Sequence, residues 1–251
     1  MTDFDPDAIK QNSRIAISMA QLSDLMTESS ETREPQYDVC LQVRELIGFQ
    51  RFGLMTNQVW YEDPRRMAFL LARYKFASKM LSGKNKVAEV GCGDGFGSRI
   101  VLQEVQQVDL YDFDPLFVAD ITANQVDRWK CEAFAADILA GPLPRSYEGI
   151  YSLDVIEHIA AEQELLYVGH LRDSLDEHGI LIIGSPSLES QAYASPPSKA
   201  GHINCKTGKD IKELMARFFY NVFLFSMNDE VVHTGFSQMA HYLFVVCTGK
   251  K

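Results

Sequence analysis

No two of the five cysteines (Cys40, Cys92, Cys131, Cys205 and Cys247) stand in a Cys-x-x-Cys pair, and their number is odd. No disulfide framework is indicated, and a reduced cytosolic compartment is expected. Positive charge is also short: 24 Lys and Arg against 34 Asp and Glu give a net charge of −10. The basic residues are scattered, which argues against DNA or RNA as an extended partner, because phosphate backbones demand a basic footprint. A nucleic-acid terminus stays open as a substrate. No apolar run approaches the roughly 18 residues of a membrane span, and the opening Met-Thr-Asp-Phe-Asp-Pro-Asp has no apolar signal core. A cytoplasmic protein without a membrane partner is expected. There is no internal repeat or low-complexity tract. What remains is a composition of 46% apolar and 23% charged residues in a chain of 251, ordinary for a globular protein with a sizeable core.

The densest information lies in Lys86-Val-Ala-Glu-Val-Gly-Cys-Gly-Asp-Gly-Phe-Gly97. Val87 to Val90 reads as a short buried strand, and glycines follow at 91, 93, 95 and 97. Without a Cβ, the backbone there turns sharply and can lie close to a ligand. Ser98 to Val105 reads as a helix whose N-terminal amides face the same space. A dinucleotide fingerprint opening at Gly91 would need its third glycine at position 96, which is Phe96. The pattern present, Glu89-x-Gly91-x-Gly93-x-Gly95, resembles the first motif of the Rossmann-like (class I) S-adenosylmethionine (SAM) methyltransferases.

The next two strands carry matching signals. Gln107 to Asp112 ends in Tyr-Asp-Phe-Asp-Pro, with Asp112 at 21 residues past Gly91, near the ~20 at which such folds place a ribose-binding acid. Asp114 is placed as the N-cap of a helix over Leu116–Asn124. Cys131 to Ala136 is a third apolar run, closed by Asp137-Ile138. The resemblance implies that Gly91, Gly93 and Gly95 admit SAM, that Glu89 supports its amino-acid end through the turn, and that Asp112 holds the ribose. It assigns adenine to Asp137 and Ile138, and it places Cys92, Phe113, Leu153 and Asp154 along the same groove. Asp137 also reads as an ordinary turn acid.

Alternating strand and helix patterns predict a doubly wound α/β sheet of seven strands with an N-terminal helical cap. The cap is taken as residues 1–83, with helices over Ile9–Met26, Val39–Ile47 and Arg65–Leu81, and the SAM-binding domain as 84–251. Trp60 and Tyr61 are expected to pack the cap on the core or to form an aromatic lid. Arg73, Tyr74 and Lys75 read as a solvated helix face, with one of them reaching the SAM carboxylate as the alternative. Strands are expected at Gly149–Leu153, Gly179–Ile183, Val222–Phe225 and His241–Val246, and the resemblance implies that the last inserts antiparallel between the fifth and sixth. Ser185 to Thr207 is a long irregular stretch, a length that is usually functional, and Thr207 is expected to cap the following helix.

After the fourth strand the chain reads Asp154-Val-Ile-Glu157-His158. If the segment is helical, the spacing puts both acids and the histidine on one face, at the carboxyl end of a central strand where ligands bind. The segment is similar to the Glu-x-x-Glu-His of ubiquinone-pathway and small-RNA 3′-end methyltransferases, where those residues hold a metal. His202, in the long loop, is the matching later histidine. Many relatives carry such a segment without metal, so Asp154, Glu157, His158 and His202 are taken as acceptor-facing catalytic residues. A divalent ion on them remains the lesser alternative. A neutral imidazole can take the proton of an attacking hydroxyl. The expected activity is methyl transfer from SAM to a hydroxyl, or amine, of a small polar metabolite, such as a sugar or phosphorylated precursor of a bacterial cell-surface glycan. A macromolecular methyltransferase and a non-catalytic SAM-binding module are the alternatives. The apolar N-terminal helices also leave a homo-oligomer open.

Overall fold

The structure, a computed structural model, describes residues 33–251. The helix expected over Ile9–Met26 lies outside the described residues. The chain divides after Gln50 into two compact units. The first contains helix α1 (Asp38–Ile47), none of whose residues is buried. The second begins at Arg51 and so includes helices α2 (Leu54–Glu62) and α3 (Arg65–Met80) together with the sheet.

The sheet strands are β1 (Lys86–Val90), β2 (Gln107–Asp112), β3 (Glu132–Ala135), β4 (Tyr147–Leu153), β5 (Leu175–Pro186), β6 (Phe219–Asn228), β7 (Val231–His233) and β8 (Tyr242–Lys250). Their order is β3-β2-β1-β4-β5-β8-β6-β7. The first five are parallel, and β8 runs antiparallel between β5 and β6. The sheet therefore has eight strands where seven were expected. The addition is β7, which hairpins back on the end of β6. Strand order reverses between β1 and β4, and in open parallel sheets the crevice at such a reversal is where ligands bind.

Period-two alternation sorts the two faces. Ala88, Val90, Ile150 and Leu181 join one core cluster, and Val87, Tyr151 and Ile182 the other. Helices α4 (Ser98–Leu102), α5 (Pro115–Asn124), α6 (Glu164–Asp173), α7 (Pro196–Gly201) and α8 (Gly208–Ala216) complete the unit. On the second face, α3 presents Phe76 to Phe244 (ring centroids 4.5 Å apart) and Phe225 (5.2 Å). Phe244 is fully buried, worth about 1.5–3 kcal/mol, and the half-buried Phe76 and Phe225 contribute less. Thr207 caps α8 as expected, accepting from the Asp210 amide.

Candidate active site

Below the glycine turn sits Glu89, 1% exposed. Tyr74 Oη and Tyr151 Oη, each at 2.7 Å, and the Ser98 hydroxyl donate to its carboxylate. Burial pushes its pKa up to about 7, while the three hydroxyls pull the other way. Glu89 thus fastens α3, β4 and the start of α4 beneath the turn. Gly91, Gly93 and Gly95 have φ of +75°, +53° and +63°, a region costly for residues with a Cβ. Space is also short: an added Cβ would lie 2.2 Å from Val155 Cγ2 at Gly91 and 2.7 Å from Met55 Sδ at Gly93. Cys92 is buried, its amide bonded to the Tyr111 carbonyl at 3.1 Å. Burial pushes its thiol far up, aided by the Glu89 and Asp112 charges, so it is no nucleophile and has no amide left for a ligand.

Asp112, 6% exposed, ties two loops together. Its Oδ2 accepts from the Gly93 amide (2.8 Å) and its Oδ1 from the Asp114 amide (2.9 Å). Asp114 caps α5 through the Leu116 amide (2.8 Å). Phe113 stands in solvent between them. The carbonyl of Asp112 accepts from the Ala136 amide (2.8 Å), which brings the loop of Asp137 and Ile138 alongside. There Asp137 accepts from the Leu139 amide (2.9 Å), the turn role read as its alternative, and Ile138 is buried.

Helix α2 is held to the glycine turn by polar bonds at its first turn. Its N-cap, Gly53, has no side chain to cap with. Instead Asp94 Oδ2 accepts from the Thr56 amide (2.7 Å) and Asp120 Oδ2 from the Leu54 amide (2.8 Å). Two carboxylates from elsewhere in the fold thus satisfy the helix's open amides and its positive end. Trp60 and Tyr61 do not pack into the core; they are 51% and 68% exposed, because only Thr56 of this helix is buried. Trp60 pairs with the half-buried ring of Phe52, centroids 5.8 Å apart.

The solvated face expected at Arg73 and Tyr74 is not found. Tyr74 is buried against Gly97, where a Cβ would lie 2.2 Å from its ring. The signal was available: Met67, Leu70, Leu71 and Tyr74 follow helical spacing. Arg73 crosses the crevice to Asp154, both of whose oxygens accept from its Nη1, at 2.7 and 2.8 Å. Its guanidinium lies 3.9 Å over the ring centroid of Tyr242. No sequence pattern links α3 to a loop 81 residues away.

Asp154 also departs from the expected shared face. Its φ of +57° breaks the chain out of a helical path, and only Ile156–His158 makes a turn of 3-10 helix. Glu157, His158 and His202 nevertheless converge, with one ligand atom from each lying within 4.8 Å of the others. Asp154, paired with Arg73, is outside this group. Glu157 is fully buried, and neither carboxylate oxygen makes a well-formed hydrogen bond; the Ser185 hydroxyl and its own amide lie near enough only to offset part of the cost of burial. Burial, then the Asp154 charge, pushes its pKa up. His158 Nδ1 lies 2.8 Å from the Gly201 carbonyl, and His202 Nδ1 lies 2.9 Å from Gln191 Oε1. Both oxygens only accept, so each Nδ1 carries the proton and each Nε2 keeps its lone pair. The rings are 5.2 Å apart. Burial, then His158, lowers the pKa of His202. His233 is engaged within its hairpin through both ring nitrogens, with Asn228 and the Gly235 amide.

A strand, a glycine turn, an acid closing the next strand and a polar cluster after the fourth define a methyltransferase of the SAM-dependent class I type. The profile of the methyltransferase domain family matches residues 59–223, and the chain belongs to that family. No curated protein matches the sequence. Among solved structures it is similar to the N-methyltransferase NodS of Bradyrhizobium japonicum in complex with S-adenosyl-L-homocysteine, at 15% identity and a TM-score of 0.53 over 74% of this chain and 86% of that one. It is also similar to the methyltransferase domain of bacterial CtHen1 (14%, TM-score 0.59, 72% and 97%). A third is the plantazolicin methyltransferase BpumL in complex with S-adenosyl-L-homocysteine (12%, 0.57, 76% and 93%). At such identities the likeness is one of fold. Among the described residues no helix is long and apolar enough to cross a membrane.

Proposed function

We propose that this enzyme methylates a hydroxyl of a small polar metabolite in the cytoplasm, with His158 or His202 as the base. The observation that carries the reading is the pair of imidazoles whose Nδ1 atoms are fixed on acceptors while each Nε2 keeps a lone pair. The cofactor fits the chain. Asp112 is pinned beside the glycine turn for the ribose, and Phe113 stands exposed beside it. Arg73 and Asp154 offer a positive and a negative partner to a zwitterionic amino-acid end. When bound, SAM supplies a sulfonium methyl as the electrophile. The acceptor oxygen forms the new C–O bond, the old C–S bond breaks with its pair going to sulfur, and the hydroxyl proton passes to imidazole Nε2. Alignment and exclusion of water supply much of the rate, and the base adds roughly 10²–10⁴-fold. A small acceptor is favoured over nucleic acid by the net charge of −10. A sugar or phosphorylated glycan precursor belongs to this class.

The test is methyl transfer from isotope-labelled SAM into a small-molecule extract and, in parallel, into total RNA, with Asp112→Ala as the control. Label in a metabolite, lost in the variant, is the expected result. Label in RNA alone would overturn the substrate class, and SAM binding without any transfer would leave a binding module.

A second reading has its own observation. The oxygens of Glu157, without a well-formed hydrogen bond and beside two imidazoles with open Nε2 atoms, form a donor set for a borderline divalent ion such as Mn²⁺, Fe²⁺ or Zn²⁺. The bonds at each Nδ1 are those that orient histidine ligands. Such an ion would take the Nε2 lone pairs, so neither histidine could then be the base. Activity abolished by EDTA and restored by Mn²⁺ would select this reading.

A further inference from the structure

Buried polar groups nearly always have partners, yet four orphaned atoms gather at the acceptor side of this crevice: Arg73 Nε, Tyr242 Oη, and both carboxylate oxygens of Glu157. Tyr242, on β8, is 1% exposed. Its hydroxyl presses on Gly184, where an added Cβ would lie 2.5 Å from Oη. The Asp154 amide lies beside Oη but bonds the Gly184 carbonyl at 2.9 Å, the Ser185 hydroxyl bonds the Pro186 carbonyl at 3.2 Å, and no acceptor stands within reach of Oη. Burial and the Asp154 charge keep the phenol protonated, so it remains a donor with nothing to donate to.

Arg73 covers this group. Its side chain is 20% exposed and that of Asp154 33%, against almost nothing for Tyr242 and Glu157. Its hydrogen bonding to Asp154 rests on one nitrogen, since Nη1 serves both oxygens, and the guanidinium also stacks on the Tyr242 ring. It lacks the two-nitrogen fork that makes an Arg–carboxylate pair strong. A bound α-amino acid offers a carboxylate to Arg73 and an ammonium to Asp154, replacing one ion pair with two.

We propose that Tyr242 is an acceptor-binding residue, uncovered when the amino-acid end of SAM takes Arg73 from Asp154. Its hydroxyl then donates to the acceptor oxygen. An alcohol oxygen has two lone pairs; one attacks the methyl and the other accepts from Tyr242. The cofactor therefore binds before the acceptor. This rests on the cofactor and hydroxyl-acceptor reading above.

The test labels the full chain with 3-fluorotyrosine and assigns the Tyr242 resonance by its loss in Tyr242→Phe. S-adenosylhomocysteine is compared with 5′-methylthioadenosine, which lacks the amino-acid end. The Tyr242 signal is expected to move with the first and not with the second. The same movement with both, or none with either when both bind, overturns the proposal. In the transfer assay Tyr242→Phe is expected to keep its affinity for S-adenosylhomocysteine within about twofold and to lose about tenfold or more in kcat/KM for the acceptor fraction that the wild type labels. It should melt no lower than the wild type, because no protein partner is lost. Equal transfer by the variant, or a lowered melting temperature, sinks the idea. A wild type that fails to bind S-adenosylhomocysteine overturns the cofactor reading instead.

Discussion

Asp112, which closes β2, and Glu89, one residue before the end of β1, are both buried acids, yet their surroundings give them different work. Asp112 accepts only from backbone amides, at the edge of the crevice. On the proposed ribose role, replacing it with Ala removes that acceptor and loosens the turn, and two charge-assisted hydrogen bonds correspond to roughly a hundredfold loss of affinity. Titration calorimetry with S-adenosylhomocysteine should show it, with the melting temperature less affected than the affinity. Glu89 lies under the turn, and burial raises its pKa from 4.5 to about 7. Between those values the folded protein holds a proton that the unfolded chain has released. Stability contributed by this group is therefore full below the unfolded value and declines as pH rises through about 7, by up to about 1.4 kcal/mol per pH unit. Glu157, also raised, adds to the same slope. Thermal melts of Glu89→Gln across this window should be flatter than those of the wild type; an unchanged slope would assign the titration elsewhere. For catalysis, His158→Ala and His202→Ala should each leave cofactor affinity intact. The variant that removes the base should lose roughly 10²–10⁴-fold in rate. With His202 lowered below its usual pKa, the acid limb of the rate profile should lie below the ordinary histidine value if His202 is that base.

Among the elements, α2 depends most on partners distant in sequence. Its first turn is held by Asp94 and Asp120 rather than by a local cap. Gly53→Ala would drive a Cβ to 2.3 Å from Asp94 Cβ. It should weaken cofactor binding and lower the melting temperature by several degrees, read by scanning fluorimetry with and without S-adenosylhomocysteine; a variant as stable as the wild type would show that α2 is not fastened there. This element was not legible as a helix, because Leu54-Met-Thr-Asn-Gln-Val-Trp-Tyr-Glu62 has no buried apolar stripe. The strands were legible by contrast. Val87–Val90, Gln107–Asp112 and Gly149–Leu153 announce themselves by apolar runs and closing acids, and only their bounds moved. The long stretch after Ser185 read as irregular, and it resolves into a 3-10 segment at Glu189–Tyr193 and the short α7. Its Gln191 and Gly201 set the tautomers of the two site histidines.

Over the whole molecule, the amino-acid sequence by itself determined the family, the parallel half of the sheet and the place of the glycine turn. Those follow from short-range physics: apolar runs that must be buried, glycines where the chain turns left-handed, and acids that close strands. Spacing put Asp154, Glu157 and His158 on one face and the resemblance added His202; of these, Glu157, His158 and His202 come together. The tertiary structure alone decided how that cluster is divided. The left-handed turn at Asp154 sends its carboxylate to Arg73 and leaves Glu157 with the two histidines. The same division decided that Tyr242, the opening residue of the last strand, lies under Arg73 with an unbonded hydroxyl. No local pattern carries these contacts, because each joins elements brought together only when β8 enters between β5 and β6 and α3 closes over the sheet. The electrostatics that the site depends on arise from that assembly.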